Sequence, residues 1–112
     1  MSSSPPPNEA LAELASVLGE DNVRTLVRTF LRDFPQSIRE LGGGDRKNRH
    51  RLAHSMKSNS RLMGAFELSQ RLADLEERLS VGGAGDVTRQ DIVSIVADYE
   101  AIAGQLRTFV GP

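Results

Sequence analysis

Apolar residues recur every three or four positions through nearly the whole chain, and no stretch alternates strictly between apolar and polar residues. Spacing of three and four places apolar side chains on one face of an α-helix, whereas strict alternation is typical of a half-buried strand. The pattern therefore predicts an all-α protein.

Capping residues and glycines divide this pattern into one short helix and four long ones. Asn8 is a suitable N-cap for the short helix, which is expected to end at Gly19. The second helix begins near Glu20 or Asp21 and ends at Leu41, before a run of three glycines. The predicted inward stripes are Leu11, Leu14 and Leu18 in the first helix, and Val23, Val27, Phe30, Phe34, Ile38 and Leu41 in the second.

Pro35 lies inside the second helical pattern. Proline has no backbone N–H, so it removes the hydrogen bond to the carbonyl four residues earlier. We therefore expect a kink or a break near Asp33.

The remaining pattern predicts three more long helices. Asp45 caps the third, which runs to about Gly64, the fourth spans Ala65 to about Val81, and Thr88 caps the last. Four long amphipathic helices joined by short loops predict an up-down-up-down antiparallel four-helix bundle with a short extra N-terminal helix. The predicted stripes are Leu52, Met56, Asn59 and Met63; then Leu68, Leu72, Leu75 and Leu79; then Ile92, Ile95, Val96, Tyr99, Ile102, Leu106 and Val110.

Length and composition limit the classes of protein. Residues 1–7 form a Ser- and Pro-rich stretch that we expect to be a disordered tail, and residues 8–112 are sufficient for one domain. The absence of cysteine excludes disulfides and cysteine-based metal sites. The initiator-like Met1 and the polar tail favour a standalone protein over a domain of a larger kinase.

Charge and hydropathy give no general argument for a nucleic acid or a membrane as partner. The chain has 14 Lys plus Arg and 15 Asp plus Glu, and its net charge is -1. No apolar run approaches the roughly 20 residues that span a bilayer, and no segment resembles a signal peptide. We expect a cytoplasmic protein, and a monomer, because the four long helices can bury their own stripes.

The third helix carries the candidate chemistry. His54 is followed by Lys57 at i+3 and Ser58 at i+4, which are its neighbours on a helix surface. An exposed imidazole has an ordinary pKa of about 6.5, so at pH 7 most of it is neutral and has a lone pair for nucleophilic attack. The surrounding face is basic and polar, and its remaining members are Lys47, His50, Arg51 and Arg61.

This stretch resembles the phosphoacceptor motif of histidine-containing phosphotransfer (HPt) domains. That motif runs Ala-His-x-Leu-Lys-Gly-small-small, then three residues and Gly-Ala, and this chain has Ala53-His54-Ser55-Met56-Lys57-Ser58-Asn59-Ser60 followed by Gly64-Ala65. HPt sequences also often have a proline in a stretch similar to Phe30–Pro35. Ser58 stands where the family usually has glycine.

The resemblance implies a role for each matching residue. His54 would be phosphorylated on the ring nitrogen farther from the backbone, and Lys57 would stabilise the phosphate. Gly64 would close the turn between two helices. Glu76 lies where the family often has Glu or Gln near the histidine, so it either orients the ring or is a solvated charge. Ser58 adds bulk where a partner approaches, and we expect it to narrow the choice of partner.

The resemblance also implies a phosphorelay function. A receiver domain holding an aspartyl phosphate and Mg²⁺ would dock around His54, and the imidazole would accept the phosphoryl group and pass it to another receiver. The carrier would need no bound cofactor and no autonomous catalysis, because the partner brings the metal. Partners would be response-regulator receiver domains and a hybrid sensor histidine kinase. Lys47, His50, Arg51, Ser58 and Arg61 are the predicted docking residues.

Three alternatives stay open on the sequence. His50 and His54 form an i,i+4 pair that could bind Zn²⁺, although Arg51 stands where metalloproteases have their glutamate. The basic helix could bind nucleic acid, but the chain has only five Phe and Tyr and no Trp for stacking on bases. The strongest alternative is an HPt-like scaffold that binds a kinase or receiver without carrying phosphate.

Overall fold

The computed structural model describes residues 4–80, 82–83 and 85–111, and within them the chain forms five α-helices and no strand. This confirms the predicted all-α class for the described part of the chain. None of the described helices is long and apolar enough to cross a membrane. The helices are α1 (Glu9–Leu18), α2 (Glu20–Leu41), α3 (Arg46–Leu62), α4 (Phe66–Leu79) and α5 (Arg89–Val110).

The three predicted N-caps are confirmed. The side chain of Asn8 accepts a hydrogen bond from the backbone of Leu11, and that of Asp45 accepts one from Asn48. Thr88 forms a capping box with Asp91, in which each side chain accepts a hydrogen bond from the other's backbone N–H. These bonds use N–H groups that have no partner inside their own helix, which is why the polar residues at these positions set the helix starts.

The predicted N-terminal tail and the predicted end of the fourth helix lie partly outside the described residues. Residues 4–7 have no helix or strand, and the carbonyl of Ser4 accepts a hydrogen bond from Arg24. Residues 1–3 of the predicted tail lie outside the described residues, so its disorder stays a prediction. The predicted end of the fourth helix at Val81 also lies outside them, and the helix is observed as far as Leu79.

One continuous apolar core joins the five helices, and most of the predicted stripe residues belong to it. Three predictions are wrong: Asn59 is exposed, and Leu18 and Val96 are 42% and 40% exposed. The inward face of α3 is rotated away from Asn59, whose amide would lose its hydration on burial. The residues that the stripes omitted and the core contains include Ala53, Ala65, Ala103 and Phe109.

α2 continues through Pro35 to Leu41, so the predicted break near Asp33 is wrong, whereas the predicted kink stays a prediction. Pro35 cannot donate to the carbonyl of Leu31, and that carbonyl instead accepts a hydrogen bond of 3.4 Å from the hydroxyl of Tyr99 on α5. The Tyr99 ring stacks on Phe34 with ring centroids 5.1 Å apart. A partner 68 residues along the chain thus supplies the hydrogen bond that the proline removes.

Helix packing forms a closed ring in which α2 contacts α3, α3 contacts α4, α4 contacts α5 and α5 contacts α2, while α1 packs on α2. Arg24 fixes the start of α2 to the end of α5. Its guanidinium lies over the Phe109 ring and donates a hydrogen bond to the backbone carbonyl of Phe109. Because Arg24 meets Phe109 and Leu31 meets Tyr99, α2 and α5 are antiparallel. The complete up-down-up-down order stays a prediction.

Candidate functional site

The turn between α3 and α4 determines which residues of the two helices meet. The N–H of Gly64 donates to the carbonyl of Arg61, and the N–H of Ala65 donates to that of Ser60. This pair of bonds is a Schellman motif, which requires a left-handed residue at the position of Gly64, where φ is +80°. The motif ends α3 within one residue and reverses the chain direction.

Contacts along the two helices show that α4 runs antiparallel to α3. The Ser69 hydroxyl donates to the carbonyl of Lys57 near the turn, and Arg46 donates to the carbonyl of Arg78 at the far end. Glu76 lies between these two contacts. The reversal therefore brings its side chain to the level of His54.

Three side chains form one hydrogen-bonded group at that level. Nδ1 of His54 lies 2.7 Å from Oε2 of Glu76, and Nζ of Lys57 lies 2.6 Å from Oε1 of the same carboxylate. The Glu76 side chain is only 18% exposed, whereas that of His54 is 59% exposed. The carboxylate is thus shielded beneath the ring, and the ring itself is open to a partner.

The environment of Glu76 keeps its carboxylate ionised. Burial acts to raise the pKa of Glu76, but the hydrogen bonds and the electrostatic attraction of Lys57 and His54 together outweigh burial and lower the pKa below its usual range. An ionised carboxylate accepts hydrogen bonds and donates none. The proton of the neutral His54 ring is therefore on Nδ1, and Nε2 carries the lone pair.

The predicted docking residues lie in two neighbouring depressions. The first contains His54 and Glu76 together with Lys47, His50 and Arg51. The second lies farther along α3 and contains Ser58 and Arg61. The structure thus brings His54, Lys57 and Glu76 into direct contact and places the docking residues around them.

The basic run of α3 consists of the six Lys and Arg residues from Arg46 to Arg61, and three of them are bonded to other groups. Arg46 donates to carbonyls of Arg78 and Gly83, and Arg49 bonds Asp86 and the carbonyls of the glycine run. Lys57 is held by Glu76. Within the described part of the chain, the other three cations of the run form no hydrogen bond or ion pair through their side chains, and they are Lys47, Arg51 and Arg61.

Two exposed apolar residues of the second depression were not identified from the sequence. Leu62 is 43% exposed and Phe66 is 60% exposed, and both line the depression with Ser58 and Arg61. Phe66 lies at the first position of α4 and precedes the buried stripe that begins at Leu68. The sequence signal was an aromatic residue outside that stripe, but only the turn geometry shows which surface it joins.

A metal site has no support from the arrangement of ligands. His50 and His54 line the same depression, but among the residues that the structure describes no three His, Cys, Asp or Glu side chains are grouped to hold a metal ion. Most structural zinc sites have four protein ligands.

Comparison with known proteins gives one match. The family model described as Hpt domain matches residues 25–107, which include α3, α4 and most of α2 and α5. No curated protein and no solved structure matches the chain.

Proposed function

Because the chain belongs to the Hpt domain family, we propose that it is a phosphoryl carrier of a two-component phosphorelay and that His54 is its phosphoacceptor. Membership of the family implies involvement in a phosphorelay through histidine phosphotransfer. The observation that carries the assignment to His54 is its exposed ring, whose Nδ1 lies 2.7 Å from the mostly buried Glu76 carboxylate and so leaves Nε2 as the nitrogen for attack.

In the proposed transfer, a receiver domain presents an aspartyl phosphate to His54. Nε2 attacks phosphorus in line, an N–P bond forms, and the P–O bond to the aspartate breaks with its electron pair returning to that carboxylate. A second receiver takes the phosphoryl group by the reverse reaction. The transfer depends mainly on positioning and on neutralisation of charge, so a fixed ring orientation is the carrier's chief contribution.

Lys57 is the proposed source of positive charge on the carrier. It lies three residues after His54 on the same face of α3, and its side chain is 30% exposed. Its bond to Glu76 restrains the flexible side chain close to the position where the phosphoryl group would arrive. The structure therefore supports the phosphate-stabilising role that the family resemblance implies for this residue.

The two depressions on either side of Lys57 are the proposed docking surface. Lys47, His50 and Arg51 would face the acidic metal pocket of a receiver, because complementary charge speeds encounter and aligns the partners. Leu62 and Phe66 would supply apolar contact beside Arg61. Ser58 separates the site from this apolar part, and its hydroxymethyl group is exposed where a partner must approach.

The proposed partners are receiver domains and a hybrid sensor kinase, and Hpt domains interact with receivers in phosphorelays. We place Mg²⁺ on the receiver, and no cofactor on the carrier. The carrier is proposed to act as a monomer in the cytoplasm. Hpt domains are phosphotransfer carriers rather than catalysts, so the rate of transfer depends on the partner.

The proposal is tested by transfer from a panel of prephosphorylated receivers of the same genome to the wild type, His54→Gln and His50→Gln. His50 is a matched control, since it is the same residue type one helical turn earlier in the same depression. Rapid, acid-labile labelling that is lost only in His54→Gln is expected. If the folded wild type accepts phosphate from no receiver, the scaffold function replaces the carrier function.

The same panel tests the effect of Ser58. Ser58→Gly removes the exposed side chain without touching the ring, so we expect faster transfer from receivers that react slowly with the wild type. Equal rates for both proteins with every receiver would contradict a role of Ser58 in partner choice.

A further inference from the structure

The two oxygens of the Glu76 carboxylate contact different groups of the site, one the His54 ring and the other the Lys57 ammonium. Oε2 contacts Nδ1 of His54 and Oε1 contacts Nζ of Lys57, at 2.7 and 2.6 Å. Because an ionised carboxylate only accepts, both neighbours must donate to it. The contact to the ring therefore depends on a proton at Nδ1.

Once Nε2 is phosphorylated, the proton on Nδ1 determines the charge of the His54 ring. A phosphorylated ring that keeps it is an imidazolium cation, whereas a ring that loses it is neutral and has a lone pair at Nδ1. That lone pair would face Oε2 of Glu76, and two acceptors at this distance repel each other. Glu76 is 18% exposed and held by Lys57, so it cannot easily turn into solvent.

We propose that Glu76 keeps the proton on Nδ1 of phosphorylated His54 and thereby makes His54 a phosphoryl donor rather than a phosphoryl store. This inference rests on the proposed function and concerns its return step. During donation, an oxygen of the acceptor bonds to phosphorus, the N–P bond breaks, and the electron pair returns to Nε2.

The proton determines which leaving group that step releases. A ring that kept its Nδ1 proton leaves as neutral imidazole, and no proton has to move. A ring that lost it would leave as imidazolate, which is far more basic and therefore a much poorer leaving group. Glu76 acts in this step as a positioning residue, because it holds the proton and does not touch the phosphoryl group.

The groups that face the ring come from α3 and α4. α2 packs on another side of α3, and its Asp33 lines a separate groove with Ser55. The charged and titratable groups around the ring are the cations or potential cations Lys47, His50, Arg51 and Lys57, and the anion Glu76. The cations oppose a positive charge on the ring, so among the described residues Glu76 is the group that can hold the proton in place.

Glu76→Gln separates ring orientation from this effect on the proton. The amide has nearly the same shape, and its oxygen can accept from a protonated Nδ1 while its NH₂ group can donate to a deprotonated one. The ring keeps a partner in both forms and loses the preference for the cation. Glu77→Gln is the matched control, since it removes the same charge at an exposed position one residue later.

The experiment uses phosphoramidate as the phosphoryl source, so that no receiver is involved, and follows Nδ1 of phosphorylated His54 by ¹⁵N NMR as the pH is raised. We expect the wild type and Glu77→Gln to keep the proton to a pH about one unit or more above that of Glu76→Gln, the effect of a close opposite charge. At a pH above both midpoints, a midpoint that is one pH unit lower makes the protonated fraction of phosphorylated His54 tenfold smaller. Glu76→Gln should therefore lose its phosphoryl group about tenfold more slowly than the wild type.

The outcomes separate the two proposals. Equal midpoints for the wild type and Glu76→Gln would overturn the role of Glu76 in proton retention, and the carrier function would stand. Absence of phosphohistidine at His54 in the folded wild type, with both phosphoramidate and receivers, would overturn the carrier function and this inference with it.

Discussion

Replacement of Gly64 by alanine should destabilise the protein through two effects that can be measured separately. Gly64 has a φ of +80°, and an alanine there is strained by about 1–2 kcal/mol. A Cβ at this position would also overlap the side-chain amide of Asn8. That amide both caps α1 and donates a 2.9 Å hydrogen bond to the carbonyl of Met63.

The magnitude follows from what Asn8 would lose. Loss of an N-cap costs about 1 kcal/mol, and loss of a hydrogen bond costs about as much. Alanine also restricts the unfolded chain, which offsets the strain by about 0.4–1 kcal/mol. We expect Gly64→Ala to lower the free energy of unfolding by about 3 kcal/mol, of which about 2 kcal/mol depend on Asn8.

A double-mutant cycle measured by urea denaturation isolates the part that depends on Asn8. In the Asn8→Ala background the overlap is absent, so Gly64→Ala should cost only about 1 kcal/mol. Gly82→Ala is a second control, because its φ is +83° and a Cβ there meets no atom within 4 Å. Equal costs of Gly64→Ala in the two backgrounds would refute the overlap argument.

Three further predictions concern the core, the site and the docking surface. Tyr99→Phe should lower the free energy of unfolding by about 1 kcal/mol. It should cost less in a Pro35→Ala background, where the backbone N–H of residue 35 can donate to the carbonyl of Leu31 again. Equal losses in the two backgrounds, measured by urea denaturation, would show that the Tyr99 hydroxyl does not replace the hydrogen bond that Pro35 removes. The pKa of Glu76 is lowered in the folded state, so its contribution to stability is complete above the unfolded pKa of about 4.3 and is lost as the pH falls through the folded value. The stability difference between the wild type and Glu76→Gln should therefore shrink on acidification, whereas a difference that is constant from pH 7 to 3 would contradict the pairing. The double variant Lys47→Ala, Arg51→Ala should accept phosphoryl groups from receivers more slowly at low salt, and its transfer rate should depend less on salt concentration. An unchanged dependence of the transfer rate on salt, measured by stopped-flow kinetics, would exclude these cations from docking.

Local chemistry made the helix starts and the His54–Lys57 pair predictable. Asn8, Asp45 and Thr88 act on backbone groups within a few residues, so their effect can be inferred without knowing the fold. The spacing of His54 and Lys57 along one helix likewise follows from helix geometry alone.

Contacts between helices could not be predicted in the same way. Whether Glu76 reaches His54 depends on the rotation of α4 about its axis, which the turn at Gly64 and the packing of α3 on α4 determine together. The hydrogen bond to the carbonyl of Leu31 inside α2 likewise comes from Tyr99, which is distant in sequence. The exposed position of Phe66 has the same origin, because nothing near it in the chain shows which surface it joins.

The most direct test of the carrier function identifies the atom that is phosphorylated. The wild type is labelled by a phosphorylated receiver, and the ring nitrogens of its two histidines are observed by ¹⁵N and ³¹P NMR. The account predicts an N–P bond at Nε2 of His54, since Nδ1 is bonded to Glu76. Phosphate on Nδ1 of His54, or on His50, would contradict it.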